Sequence, residues 1–74
     1  MYKMYLFEYK DEFGGGVTSV RYIVDDKENI LYSNMNDGSW IKCSGKLDLV
    51  DTNIMFERTL KKKEIKEKFF IDNI

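Results

Sequence analysis

Turn chemistry recurs along this chain so closely that it limits what lies between the turns. Asp11-Glu12-Phe13-Gly14-Gly15-Gly16, Asp25-Asp26-Lys27-Glu28-Asn29, Asn36-Asp37-Gly38, Ser44-Gly45 and Asp51-Thr52-Asn53 each interrupt an apolar run. Such clusters of Gly, Asn, Asp and Ser mark reversals. A parallel pair of strands needs a crossover of a dozen or more residues, and no gap before residue 54 offers one. The runs must therefore return on each other as antiparallel hairpins.

The runs themselves read as strands. Tyr2 to Lys10 is rich in aromatics and has no breaker, and Val17 to Val24 follows it. With a period of two, Tyr5, Phe7 and Tyr9 share one side of the first run, and Tyr2, Met4 and Leu6 share the other. In the second run Val20, Tyr22 and Val24 oppose Ser19, Arg21 and Ile23. Ile30 to Asn34 is a third strand, with Ile30 and Tyr32 opposing Leu31. Asn36-Asp37-Gly38 is the strongest turn, because these residues tolerate the positive φ that tight hairpins require. Trp40 to Cys43 returns, with Trp40 opposing Ile41 and Cys43. Lys46 to Val50 reads as a further short strand. Ile54 to Leu60 alternates again, with Ile54, Phe56 and Leu60 on one side and Met55, Glu57 and Thr59 on the other. Leu60 to Phe70 is built of strong helix formers, with Ile65 and Phe69 four apart on one face and Leu60 off it; a hairpin turning near Lys62-Lys63 is the competing reading, though it has no Gly, Asn or Asp at its turn. The expected fold is α+β: a small antiparallel sheet of four to six hairpin-connected strands with one C-terminal helix, residues 1–74 forming a single domain. A small all-β barrel is the alternative.

Composition removes most routes to an active site. The chain lacks histidine, and Cys43 is its only cysteine. Without histidine there is no Ser-His or Cys-His pair, and one cysteine without histidine cannot make a tetrahedral zinc site. No disulfide can form within the chain. Gly14-Gly15-Gly16 leads into Val17-Thr18-Ser19-Val20, a strand rather than the helix that a phosphate loop requires. Asp25, Asp26, Glu28 and Asn29 lack the spacing of a calcium loop. The carboxylates Glu8, Asp11, Glu12, Asp48 and Glu57 show no spacing that selects an acid/base pair, and Cys43 reads as a small hydrophobe on a strand. No enzyme activity, cofactor or metal is expected.

The opening residues lack the apolar stretch of a signal peptide, and no run approaches the roughly 20 residues that span a bilayer. A lone cysteine suits a reducing compartment. The expectation is a cytoplasmic protein with no membrane partner. Phe, Tyr, Met, Ile, Asn and Lys, whose codons are AT-rich, make up 36 of the 74 residues, whereas alanine and proline are absent. A low-GC bacterium, or a phage or mobile element within one, fits that bias.

Two features bear on partners. The first is charge: residues 1–57 hold six Lys/Arg against ten Asp/Glu, a balance of −4, and residues 58–74 hold six against three, a balance of +3. The second is aromatic placement. A sheet with one buried face alternates apolar and polar, yet here both sides of the first strand are apolar, and a single helix covers only one. The uncovered side would then present residues of the kind enriched at binding hot spots. Tyr5, Phe7, Tyr9, Tyr32 and Trp40 are the candidate protein-binding residues. The expected function is a small non-enzymatic protein-binding module, of the type that a phage or mobile element uses to inhibit a larger host protein such as a defence nuclease, in an anti-CRISPR-like role. Self-association into a homodimer is the other expected use of such a face. Nucleic-acid binding is the alternative function, with sheet aromatics stacking on bases and Lys61, Lys62, Lys63, Lys66 and Lys68 contacting phosphates. The acidic body makes nucleic acid the less favoured partner.

Overall fold

A computed structural model describes all of residues 1–74. Five strands, β1 (Tyr2–Lys10), β2 (Val17–Val24), β3 (Ile30–Met35), β4 (Ile41–Lys42) and β5 (Ile54–Leu60), precede one helix, α1 (Lys62–Lys68). The strands form one open antiparallel sheet in the order β4-β3-β2-β1-β5. The fold is α+β as expected, and the sheet does not close into a barrel.

The turns follow the local chemistry. Asn36 and Asp37 have φ of 50° and 58°, and Gly38 N–H donates to the Met35 carbonyl at 3.0 Å. Positive φ at both central residues is the type I′ pattern that matches strand twist. Between β2 and β3, Asp25 Oδ1 accepts N–H bonds from Lys27 (2.8 Å) and Asn29 (3.0 Å), while Oδ2 accepts from Asn29 Nδ2 at 3.0 Å. Glu28, inside this capped turn, has a φ of 61°.

Two β-bulges decide which residues share a face. In the β1–β5 pair the register shifts between Met4 and Tyr5: Phe56 lies opposite Tyr5, Arg58 lies opposite Met4, and Glu57 is the extra residue. In the β2–β3 pair Val24 lies opposite Ile30 and Ile23 opposite Tyr32, leaving Leu31 extra. A bulge turns the following residues to the other side. Leu60 therefore points away from the side of Ile54 and Phe56, and Tyr32 points away from the side of Ile30. Both departures correct the plain alternation read from the sequence.

The helix and the residues that follow it cover one face. Met4, Ile23, Tyr32, Leu60, Ile65 and Ile71 form the main core, with Tyr2, Leu31, Trp40, Phe69 and Ile74 packed around it. Lys61 is still extended (φ −93°, ψ 148°), so the chain stays in strand conformation through Leu60 before it coils. This is why Leu60 misses the Ile65–Phe69 stripe: it belongs to the sheet. Phe69 ends α1 with its N–H on the Ile65 carbonyl. The terminal residues then lie along the core, with the Tyr32 hydroxyl donating to the Asn73 carbonyl at 2.8 Å.

Lys46 to Val50 forms no strand. Gly45 turns the chain with φ 111°, Asn29 and Lys46 make an isolated bridge, and the segment then carries the chain from the β4 edge to the β5 edge. On the way Leu47 is buried with Tyr5 and Val24, in a second cluster that Tyr22, Ile30 and Ile54 extend. Trp40, expected in a strand, lies just outside the two-residue β4.

Candidate functional site

The sheet face opposite α1 carries the most distinctive surface. By register, three transverse rows cross it. Ile41, Ser33, Tyr22, Tyr5 and Phe56 make one row; Met35, Val20, Phe7 and Ile54 make the next; Thr18 and Tyr9 make a third. Tyr5, Val20 and Val24 are buried by their neighbours, but Tyr9 (44%), Phe56 (54%), Met35 (60%) and Ile41 (65%) remain exposed. Among strand residues pointing to this side, Lys3 is the only charged one. It sits at the margin, its ammonium 3.3 Å from Glu28 Oε1, and that hydrogen bond raises the Lys3 pKa above the ordinary lysine value. The middle of the face has no counterion to satisfy. Desolvation also pushes the Tyr22 phenol above its ordinary value, which keeps it neutral.

The aromatic pairs reinforce the surface. Tyr5 and Phe56 meet edge to face with centroids 5.6 Å apart, and Phe7 and Tyr9 are tilted at 5.4 Å. Such pairs contribute about 0.5–1.5 kcal/mol beyond area burial and hold the rings in defined positions.

The five residues singled out in the sequence do not form one patch. Tyr5, Phe7 and Tyr9 share the open face. Tyr32 is buried beneath α1, because the bulge at Leu31 turns it there. Trp40 is half-buried on the helix side, 5.3 Å from the Phe69 ring. The face is completed by Met35, Ile41 and Phe56, which sequence reading did not select. Alternation could have placed Ile41 and Phe56, but their exposure depends on which side the helix covers.

The helix side beyond α1 is different in kind. There Arg21 bridges Asp37 (Nη1 to Oδ1, 2.7 Å) and Glu57 (Nε to Oε1, 3.0 Å). Arg58 pairs with Glu64, which lies 3.7 Å from Lys68. The hydrogen bond from Arg58 holds the Glu64 carboxyl below its ordinary range. Lys61, Lys62, Lys63, Lys66 and Lys68 are all exposed but not aligned. Ile65 faces the core, Lys62 and Lys66 share one row, Lys63 is four residues before Glu67, and Lys68 is engaged by Glu64. No group of three or more His, Cys, Asp or Glu side chains is arranged to hold a metal ion, and no helix is long and apolar enough to cross a membrane. Comparison with family models, curated proteins and solved structures finds no match.

Proposed function

We propose that this chain is a non-enzymatic protein-binding module and that the sheet face opposite α1 is its contact surface. One observation carries the reading: a five-stranded face with a single charged strand residue keeps Tyr9, Met35, Ile41 and Phe56 exposed. Monomeric proteins rarely leave contiguous apolar surface without a use. Tyr, Phe and Met are also among the residues enriched in interface cores. Tyr5 and Phe7 then act as the packed floor of the surface, and the exposed residues as its anchors. Covering a surface on a larger protein suits an inhibitor. The origin in a phage or mobile element, with a host factor as target, rests on the AT-rich composition.

The test replaces exposed side chains only, so that folding and binding separate. A Met35→Glu/Ile41→Glu/Phe56→Glu variant should keep the wild-type circular dichroism spectrum. It should also lose every partner that the wild-type chain captures from a nuclease-treated low-GC bacterial lysate. Retention of the same partner by the folded triple variant refutes this face as the site.

A further inference from the structure

β5 has β1 on one side and nothing on the other. None of the turn, loop or side-chain hydrogen bonds reaches the backbone of Met55 to Leu60, so the outer row of N–H and C=O groups of β5 is free. The opposite edge, β4, is only two residues long. A free edge of this length is a template for another strand.

We infer that the occupant is a second copy of this chain, paired antiparallel through β5 about a two-fold axis between Glu57 and Arg58. The bulge selects that register. Partners facing each other across an antiparallel ladder must point to the same side of the sheet. In a regularly alternating strand an axis between two adjacent residues violates this, because neighbours point to opposite sides. Here Ile54, Phe56 and Thr59 point to the open face, opposite Phe7, Tyr5 and Lys3. Met55, Arg58 and Leu60 point to the helix face, opposite Leu6, Met4 and Tyr2, and the extra residue Glu57 joins them there through its bond to Arg21. The pattern is therefore palindromic about the midpoint of Glu57 and Arg58. Phe56 meets Thr59 of the second copy, Met55 meets Leu60, and Glu57 meets Arg58, each pair on one side. A register centred on Glu57 or Arg58 itself sets open-face residues against helix-face residues at all other pairs, and one centred farther along fails across the bulge.

Charge points the same way. The two-fold axis places each Glu57 against the other copy's Arg58, twice. Each joins an existing pair, so the helix side would carry the alternating series Arg21, Glu57, Arg58 of the second copy and its Glu64. The basic helix starts do not collide. Lys61 falls opposite Ile54 of the second copy, so the two Lys61 residues are seven positions apart along the ribbon, roughly 23 Å at about 3.3 Å per residue. That exceeds the Debye length of about 8 Å at physiological salt. The two open faces would become one ten-stranded surface.

This inference is independent of the proposed function, because the purified chain alone tests it. Sedimentation equilibrium of the wild-type chain should show a monomer–dimer equilibrium, with amide exchange over Met55–Leu60 slowing as concentration rises. Glu57→Arg and Arg58→Glu each set like charges across the axis and should each raise the dissociation constant by about tenfold or more. Mixed together, they restore opposite charges at both contacts and should form a one-to-one heterodimer. A wild-type chain that stays monomeric with concentration-independent exchange overturns the inference. So do single variants that dimerise like wild type, or two folded variants that do not pair when mixed. If either variant fails to fold, the exchange of wild-type Met55–Leu60 decides alone: slowing with concentration supports the dimer, and no change refutes it.

Discussion

Replacing Ile65 by alanine tests whether the seven-residue helix is what closes the core. Ile65 is fully buried, in one cluster with Met4 of β1, Ile23 of β2, Tyr32 of β3, Leu60 of β5 and Ile71 beyond the helix. Those neighbours come from five segments, four of them pinned in the sheet, so the site cannot collapse around a smaller side chain. Ile→Ala changes at such positions cost about 2–5 kcal/mol through lost transfer energy and residual cavity. A chain of 74 residues at roughly 0.05–0.15 kcal/mol per residue has about 4–11 kcal/mol in total. The variant should therefore lose from about a fifth to all of its stability. With a urea m-value of about 1 kcal/mol/M, the unfolding midpoint should fall by roughly 2 M or more. Phe56→Ala on the open face is the control. Its ring is half exposed, and it should cost about 1 kcal/mol, chiefly the edge-to-face contact with Tyr5. Urea titrations followed by far-ultraviolet circular dichroism compare the three chains. A cost below about 1 kcal/mol for Ile65→Ala, or one equal to that of Phe56→Ala, would show that α1 does not seal this face.

Trp40→Ala should lower stability by roughly 2 kcal/mol, since half a large ring leaves Phe69, whereas Tyr9→Ala, at an exposed position, should lose only the tilted contact with Phe7 and cost about 0.5–1 kcal/mol; thermal melts distinguish them. Stability should fall on acidification: Asp25, lowered chiefly by the Asn29 amide, and Glu64, lowered chiefly by Arg58, stabilise the fold above their unfolded-state pKa values. That contribution disappears as pH drops through the depressed folded values, so Asp25→Asn should be destabilising at pH 7 and nearly neutral at about pH 2, in urea titrations at both. Lys3 has the opposite sign: its raised pKa gives a contribution that is full below the ordinary lysine value and lost as pH rises through the folded value. In gel shifts at about 0.15 M salt, neither DNA nor RNA should bind below the micromolar range, because the diverging lysines can bring only two or three charges to one backbone. Sub-micromolar binding abolished by alanine at Lys61, Lys62, Lys63, Lys66 and Lys68 would refute that.

The first two strands were legible residue by residue, because nothing within Tyr2–Lys10 or Val17–Val24 competes with alternation, and Asn36-Asp37-Gly38 admits few conformations. The helix was legible as a tendency of Leu60 to Phe70, but its start was not. Whether Leu60 ends a strand or begins a helix depends on the buried slot beside Tyr2 and Met4, a tertiary fact. Lys46 to Val50 looked like a strand because its apolar residues alternate. Its task is instead to bridge two sheet edges, and the alternation serves a single anchor, Leu47.

The bulges at Leu31 and Glu57 explain both the misread faces and the candidate site. A strand carrying apolar residues at every second position can supply only one face. Each bulge lets one strand supply two. β3 sends Ile30 to the Leu47 cluster and Tyr32 to the helix core; β5 sends Ile54 and Phe56 to the open face and Leu60 under α1. A domain too small for a deep core thus packs both sides of one sheet from the same strands. Phe69, which closes the helix, reaches Trp40 near the β3–β4 turn, whereas the first turn of the helix lies at the Leu60 end of the sheet. At that end both sides are covered, by α1 on one and by the Leu47 segment on the other. Towards Tyr9 and Met35 the open face loses its cover, and the two sides then differ: Arg21 and its carboxylates solvate one, and nothing charged solvates the other. That asymmetry, rather than the whole aromatic content of the chain, is what supports the proposal of the uncharged side as the contact surface.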